Sequence, residues 1–410
     1  MEILSAAWII PVATPVIGDG SVVIDNGRII EVGGRPDILS KYHGIKERRY
    51  DSVLMPGLVN SHMHLELSHL PAIYPQAVEC NFSAWISDLM RLRQNEAVGR
   101  SQVITAFSRV LGDQFATGVV LVADIGNEFY PELYGHDSDG WPEILRMIEC
   151  LAANRQALLA AKQKLADLAD CYPACVHAPY SSSSELLVFT KQRCRQLGHL
   201  FSVHTAECAA ELDFLFSGTG CFRDFLETRN SWDGTFTFAE QGFAGTIVYF
   251  DHLGILDQKT LLVHAVHVAE MEVKLIAERG AHICLCPGSN RFLGVGKAPV
   301  EHMLAAGILP ALGTDSPASN QTIDLWREMQ LLAAEHPQVA HGAILAMATL
   351  GGAQALHRAE DYGSLTPGKR SQILHVSSPV LTRCSNSQQV QQQLVTGGRP
   401  SEISWISAHH

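Results

Sequence analysis

The chain alternates short apolar segments, rich in β-branched residues, with amphipathic helical segments, and this alternation constrains its fold more than any other feature. Such an order predicts a parallel sheet whose two faces are covered by helices, because parallel strands need crossover connections. Eight strand-like segments within roughly 260 residues favour an α/β fold of the (β/α)8 TIM-barrel type. They span residues 54–64, 119–126, 143–151, 174–181, 200–207, 260–268, 281–290 and 309–316. The third segment, 143–151, is also compatible with a helix.

Both ends of the chain have β character outside these eight segments. Strand-like residues occur at 7–10, 21–24 and 28–32, and again at 372–376, 393–396 and 403–407. We therefore expect a small β-sandwich built from residues 1–54 and 361–410, flanking a barrel over residues 55–360. The long connection 208–259 is atypical for a barrel, and long loops after barrel strands commonly build active sites.

Charge and composition favour small molecules over nucleic acid or membranes as binding partners. The 410 residues carry a formal net charge of −12, which argues against binding to nucleic acid. The sequence contains no run of 18 apolar residues, so it predicts no membrane span. The first residues also lack the basic and apolar regions of a signal peptide. The ten cysteines form no CxxC pair, which favours free thiols. We expect a cytoplasmic enzyme.

Histidines and an aspartate stand at the ends of several predicted strands. His62 and His64 are two residues apart, so a strand directs both imidazoles to one face, where they suit zinc or iron. A single His-x-His pair, or a single buried histidine, has ordinary structural explanations. The ends of the other strands carry further polar residues, and in a barrel these ends meet at one mouth. The further residues are His177, His204, His264 and Asp315. Glu207, three residues after His204, is either a site residue or a solvated first-turn glutamate.

Five motifs together resemble the amidohydrolase superfamily, in particular its mononuclear deaminase and chlorohydrolase branch. They are PGLVNSHMH at 56–64, HTAE at 204–207, HAVH at 264–267, PGSN at 287–290 and LGTDS at 312–316. The resemblance implies one divalent metal ion, because the lysine that bridges two metals in the binuclear branch has no counterpart here. Zinc is the first expectation, with iron and manganese as alternatives. The implied metal ligands are His62, His64, His204 and Asp315.

The resemblance also implies a role for each remaining site residue. Bound metal would lower the pKa of a water molecule towards ~7, and Asp315 and His264 would orient that water and take its proton. Glu207 would pass a proton to a ring nitrogen of the substrate, and His177 would contact the ring. Attack at an amino-bearing carbon would then release ammonia.

Two further segments, HLELS at 64–68 and FSAWI at 82–86, resemble the aminofutalosine deaminases of menaquinone biosynthesis. This implies 6-aminodeoxyfutalosine as substrate, with Glu66 and Trp85 contacting its nucleoside, although Trp85 also fits a core helix position. The alternatives are deamination of S-adenosylhomocysteine, methylthioadenosine or adenosine, and hydrolysis of another aromatic heterocycle, as in triazine chlorohydrolases. A catalytically inactive scaffold is disfavoured because every implied metal ligand is present. The branch is often dimeric, so a homodimer is expected.

Overall fold

Three β-sheets and the helices that connect them form an α/β fold in the computed structural model, which describes residues 1–75, 81–94, 98–128, 130, 140–233 and 242–406. The strands are β1 (Glu2–Ile9), β2 (Ile17–Asp25), β3 (Arg28–Gly34), β4 (Glu47–Pro56), β5 (Leu58–Met63), β6 (Val119–Gly126), β7 (Glu143–Cys150), β8 (Ala174–Val176), β9 (Phe201–Thr205), β10 (Thr260–His264), β11 (His282–Leu285), β12 (Ala311–Leu312), β13 (Ile373–Ser377) and β14 (Glu402–Trp405).

Helices follow most strands, as the alternating sequence predicts. They are α1 (Arg35–Lys41), α2 (Asn81–Arg93), α3 (Arg100–Ala116), α4 (Arg155–Asp167), α5 (Ser184–Leu197), α6 (Ala209–Ser217), α7 (Cys221–Thr228), α8 (Thr246–His252), α9 (Glu270–Arg279), α10 (Pro287–Leu293), α11 (Val300–Ala305), α12 (Leu325–Glu335), α13 (His341–Ala346), α14 (Gly352–Ala355) and α15 (Ser387–Thr396). A π-helical turn, Met347–Gly351, links α13 to α14. No helix among the described residues is long and apolar enough to span a membrane.

Two of the sheets are parallel, and each has four strands. Their orders are β5-β6-β7-β8 and β12-β11-β10-β9. Backbone hydrogen bonds connect the sheets at both edges. His204 N–H donates to the carbonyl of His177 (2.8 Å), and Thr314 N–H donates to the carbonyl of His62 (3.1 Å). These contacts bring the carboxyl ends of strands from both sheets together.

The strands are buried on both faces. Side chains on one face of both parallel sheets pack into one apolar cluster. The alternate residues of the same strands point to the opposite face and pack with helix residues into a second cluster, because successive side chains of a strand point to opposite faces. The first cluster includes Val59, Leu121, Ala123, Leu261 and Val263, and the second includes Leu58, Phe107, Val122 and Leu262. This two-sided burial explains why the strands read as continuous apolar runs.

The third sheet joins both ends of the chain. It has six strands in the order β14-β13-β4-β1-β2-β3, and β13 lies antiparallel to β4 with Ile373 opposite Pro56. The expected pairing of terminal β segments is therefore present, while a β-sandwich domain with boundaries at 54 and 361 stays a prediction.

One predicted terminal strand is wrong. Residues 393–396 belong to α15, which begins after the N-cap residue Asn386, whose side chain accepts a hydrogen bond from Gln389 N–H (3.0 Å). Val390 and Leu394 are buried and lie four residues apart, so helical periodicity outweighs the short β-like run. The predicted strand 403–407 is β14, and residue 407 lies outside the described residues.

Several predicted strands are real but shorter than expected. Segment 143–151 is strand β7, so its helical alternative is wrong. Segment 281–290 is strand only up to Leu285, because Pro287 begins α10 at a position where proline suits a helix start. Segment 54–64 is divided between β4 and β5, which belong to different sheets.

The cysteines largely agree with the expectation of free thiols. Among the described residues, eight cysteines are free and six of these are buried. Cys221 is disulfide-bonded and corrects the expectation at that position.

The cap of α15 gives a test of the corrected helix. Replacing Asn386 by alanine removes the side-chain acceptor and should destabilise α15 by about 1 kcal/mol. Amide hydrogen exchange over 387–396 should then be about fivefold faster. The exposed Gln388→Ala serves as a matched control with little effect. Unchanged exchange in Asn386→Ala would contradict the helix assignment.

Candidate metal and catalytic site

The predicted site residues meet at the carboxyl ends of the parallel strands. His62 lies in β5, His204 in β9 and His264 ends β10, whereas His64, His177 and Asp315 follow their strands directly or within three residues. The backbones of His264 (φ 71°) and Asp315 (φ 58°) adopt the left-handed conformation, which costs energy for residues other than glycine. The chain therefore turns sharply at these two positions as it leaves the strands.

Three histidines and Asp315 form a compact cluster of metal-ligand atoms. The Nε2 atoms of His64 and His204 are 3.4 Å apart, and Asp315 Oδ1 lies 3.6 Å from Nε2 of both His62 and His64. The ligand atoms of His62, His64 and His204 all lie within 4.8 Å of one another, and the three side chains are buried. The cluster contains the four predicted ligands.

Hydrogen bonds orient the ligands of this cluster. His64 Nδ1 bonds to the carbonyl of Ile125 (2.9 Å), and His204 Nδ1 bonds to the carbonyl of His177 (2.7 Å). Because a carbonyl only accepts, each Nδ1 carries the proton and each Nε2 presents a lone pair. Asp315 Oδ2 accepts hydrogen bonds from Ser289 and Ser319 (2.6 and 2.8 Å).

The donor set fits a divalent cation. Neither ring nitrogen of the fully buried His62 has a hydrogen-bond partner among the described residues, and such a buried polar group is costly unless a ligand or ion satisfies it. Three imidazoles and one carboxylate are ligands that zinc, iron and manganese accept.

The protonation states also suit metal binding. Burial lowers the pKa of His62 and holds that of His204 well below its ordinary value. Burial alone would raise the pKa of Asp315, but the neighbouring imidazoles, His62 first, outweigh it and hold this pKa well below its usual range. His62 and His204 are therefore neutral imidazoles and Asp315 is a carboxylate, the forms that bind metal.

Glu207 and His264 lie side by side next to the cluster. Glu207 Oε1 lies 3.5 Å from His264 Nε2, and His264 Nδ1 bonds to Asn290 Oδ1 (2.9 Å). Burial, followed by the negative charges of Asp315 and Glu211, raises the pKa of Glu207 well above its ordinary value. Glu207 is therefore a buried residue whose protonated form is favoured, and not a solvated first-turn glutamate. Asn290, which had no assigned role in the sequence analysis, orients His264.

A cavity of about 430 Å³ opens onto these residues. Its lining includes His64, His177, His204, Glu207, His264 and Asp315. Phe82, Trp85 and Leu89 of α2 supply apolar wall, and Trp85 Nε1 is bonded to the carbonyl of Ile73 (2.8 Å). This size and mixed lining suit a small organic ligand.

His177 belongs to the same cavity as a neutral side chain. Burial, and then the charges of His64 and Arg93, lowers the pKa of His177 to about 3. Its Nδ1 is 2.7 Å from Ser181 Oγ. His177 is therefore a neutral imidazole on the cavity wall, and its contact with a substrate ring stays a prediction.

Glu66 does not line the cavity among the described residues, contrary to the expected contact with substrate. Its buried carboxylate pairs with Arg93 Nη2 (2.8 Å) and Arg146 Nη2 (3.5 Å) and accepts a hydrogen bond from Glu128 N–H (3.0 Å). The carboxylate of Glu66 is thus engaged by three protein donors that lie far from it in the sequence.

The cavity residues that were absent from the sequence prediction include Arg93, Asn127 and Glu149. Burial raises the pKa of Glu149. The sequence could have identified Glu149 as a site residue, because it is a charged residue at the end of an apolar strand, like the histidines. The connection 208–259 contributes no cavity-lining residue among those described, but Phe222 stacks on the cavity residue Tyr180 with ring centroids 3.9 Å apart.

Comparison with known proteins gives a consistent result. The sequence profile of the "Amidohydrolase family" matches residues 53–397. The 5-methylthioadenosine/S-adenosylhomocysteine deaminase of Nitratidesulfovibrio vulgaris strain Hildenborough is 30% identical over 382 residues, covering 87% of this chain and 79% of the relative.

Two solved structures share the fold. Helicobacter pylori aminofutalosine deaminase, in complex with methylthio-coformycin, superposes with a TM-score of 0.82 at 23% identity, covering 98% of this chain and 97% of the other. A Xanthomonas campestris adenosine deaminase with bound zinc has a TM-score of 0.76 at 22% identity, with coverages of 98% and 91%.

The metal site predicts a linked gain in thermal stability. Zinc added to chelator-treated protein should raise Tm by several degrees, because a ligand at 100 times its Kd stabilises the folded state by about 2.7 kcal/mol. His64→Ala combined with His204→Ala should abolish the rise. The exposed His43 offers a matched control, His43→Ala, which should keep it. An equal rise in the double variant would exclude this site.

Proposed function

Because the chain belongs to the amidohydrolase family and is a hydrolytic enzyme acting on C–N bonds, we propose that it is a metal-dependent deaminase of an aminopurine nucleoside, with 6-aminodeoxyfutalosine as its preferred substrate. The observation that carries this proposal is the pairing of a protonated Glu207 with a neutral His264, 3.5 Å apart, beside the cluster of four metal-ligand groups, three of which line the cavity. An acid and a base held side by side match a hydrolysis that adds water and expels ammonia.

We propose a closed (β/α)8 barrel as the scaffold. The backbone hydrogen bonds that link the two parallel sheets at both edges support closure. The six-stranded sheet, made from both ends of the chain, supports a terminal β domain over residues 1–54 and 361–410 around a barrel at 55–360.

In this proposal His62, His64, His204 and Asp315 hold the metal ion. When bound, a divalent cation supplies Lewis-acid chemistry that lowers the pKa of a water molecule towards about 7. His264, fixed through Asn290, and Asp315 orient the attacking water and accept its proton. Glu207 donates a proton to the ring nitrogen next to C6, which makes C6 more electrophilic. Collapse of the tetrahedral intermediate breaks the C6–N bond: the amino group takes the proton that His264 or Asp315 accepted from water and leaves as ammonia. The remaining hydroxyl proton returns to Glu207 as C6 becomes a carbonyl, while the ring nitrogen keeps the proton that Glu207 donated.

Arg93 favours a substrate with an anionic tail. Its guanidinium lines the cavity and is about one-third exposed. The benzoate of 6-aminodeoxyfutalosine and the carboxylate of S-adenosylhomocysteine suit an arginine, whereas methylthioadenosine offers no such group. The relative from N. vulgaris keeps S-adenosylhomocysteine and methylthioadenosine as the second candidates.

Ultraviolet difference spectroscopy with a nucleoside panel tests the substrate. The metal-loaded protein is incubated with 6-aminodeoxyfutalosine, S-adenosylhomocysteine, methylthioadenosine, adenosine and guanine. We expect the adenine-to-hypoxanthine change to be fastest with the first. Comparable rates with several adenosines would support the broader deaminase, and no change with any of them would contradict the purine proposal.

Glu207→Gln tests the proton donor. The amide cannot transfer a proton, so kcat should fall by ~10²–10⁴-fold while metal content stays unchanged. Steady-state kinetics and metal analysis measure the two effects. Glu270→Gln, at an exposed glutamate of α9 that pairs with Lys274, is the control. Normal turnover in Glu207→Gln would remove this residue from the mechanism.

Asp315→Asn tests the carboxylate that serves both ligand and base. Loss of its charge should weaken metal binding and water activation together, so a preparation at limiting metal should lose both metal and activity. Metal content by elemental analysis and initial rates provide the measurement. Full occupancy together with full activity would refute the assignment.

A further inference from the structure

We propose that Glu149 binds the vicinal ribose hydroxyls of the substrate. The inference rests on the proposed nucleoside deaminase activity and adds the residue that recognises the sugar. Glu149 is a buried carboxylate on the cavity wall, and no step of the proposed reaction uses it.

The fold places Glu149 next to the reacting end of the cavity. It is the penultimate residue of β7, at the same edge of the sheet as the histidine cluster. A carboxylate oxygen of Glu149 and one ring nitrogen each of His177 and His204 lie within 4.8 Å of one another. A group bound to Glu149 is therefore adjacent to a base held against His177.

Among the described residues, only one carboxylate oxygen of Glu149 has a hydrogen-bond partner. Oε2 accepts a hydrogen bond from Asn127 Nδ2 (3.1 Å), whereas the buried Oε1 has no partner among the described residues. Asn127 is itself fixed, because its Oδ1 accepts a hydrogen bond from Arg93 Nη1 (3.1 Å). The carboxylate is thus held in place, and Oε1 and the second lone pair of Oε2 are left to accept hydrogen bonds from a ligand.

Hydroxyl donors satisfy this arrangement best. A buried carboxylate oxygen without a donor is destabilising, so a ligand that donates hydrogen bonds to it gains affinity. A vicinal diol supplies two O–H donors on neighbouring carbons, which match the oxygens of one carboxylate. In a nucleoside the sugar is attached directly to the base, so ribose is the group next to the ring site.

A second metal ion fits the same residues less well. His204 uses Nδ1 on a backbone carbonyl and directs Nε2 towards His64, and His177 Nδ1 is engaged with Ser181. Glu149, His177 and His204 therefore leave too few free donor atoms to hold a second ion.

The test compares a ribonucleoside with its dideoxy counterpart in wild-type and variant enzymes. The substrates are 5′-methylthioadenosine and its 2′,3′-dideoxy analogue, and the variants are Glu149→Gln and Glu149→Ala. Wild type should prefer the ribonucleoside by about 10- to 100-fold in kcat/KM, because hydrogen bonds to a charged group are lost with the hydroxyls. Glu149→Ala should reduce the preference to within about threefold, chiefly by slowing the ribonucleoside.

Glu143→Gln is the matched control, because Glu143 begins the same strand and pairs with Arg358 and Tyr362 away from the cavity. It should keep the wild-type preference. The isosteric Glu149→Gln keeps the side-chain volume, so it replaces Glu149→Ala in this comparison if the alanine variant does not fold. Thermal stability and metal content confirm that each variant is comparable with wild type.

The outcomes separate this inference from the proposed function. A wild type that deaminates both nucleosides equally, or Glu149 variants that keep the full preference, would overturn the role of Glu149 alone. A second equivalent of bound metal that disappears in Glu149→Ala would overturn it in favour of a metal ligand. A metal-loaded wild type that deaminates no nucleoside would overturn both proposals.

Discussion

The backbone carbonyl of His62 is the contact on which the site depends. It accepts hydrogen bonds from both Thr314 N–H and Asp315 N–H (3.1 Å each), so the end of β12 is bound to β5 at the level of the metal ligands. Gly313 makes this approach feasible, since a Cβ there would lie 2.8 Å from the backbone oxygen of His62. Asn60 strengthens the junction by accepting a hydrogen bond from Thr314 N–H. Because of this junction, residues about 250 positions apart in sequence share one donor cluster.

Burial then assigns opposite protonation states to neighbouring groups. The same dry environment that keeps the imidazoles neutral keeps Glu207 protonated, because it disfavours every charged form. Asp315 is the exception, because the surrounding imidazoles stabilise its negative charge. One acid, neutral bases and one carboxylate thus coexist within a few ångströms, which is what hydrolytic deamination requires.

Local sequence was sufficient wherever a residue's role depends on its own strand. His62, His64, His204, His264 and Asp315 end apolar strands, and strand ends of a parallel sheet meet, so their clustering followed from pattern alone. The position of Glu66 outside the cavity lining could not be predicted, because its partners, Arg93 and Arg146, come from α2 and β7 and are paired with it only by tertiary packing. Glu149 was overlooked because its segment has both helical and strand character, and only pairing with β6 and β8 decides between them. The strand predicted at 393–396 is wrong for a local reason: a four-residue apolar pattern cannot distinguish a strand from the end of a capped helix.

The metal ligands and the polar wall of the cavity come from different strands and helices. The sheet β12-β11-β10-β9 carries or precedes His204, Glu207, His264 and Asp315, whereas β6, β7 and α2 supply Asn127, Glu149 and Arg93. Hydrogen bonds run from Glu66 through Arg93 and Asn127 to Glu149, so the second group is a connected polar wall that contains none of the candidate metal ligands. Since the reaction end and this wall are built from different elements, changes in the wall can alter the substrate without disturbing the metal ligands.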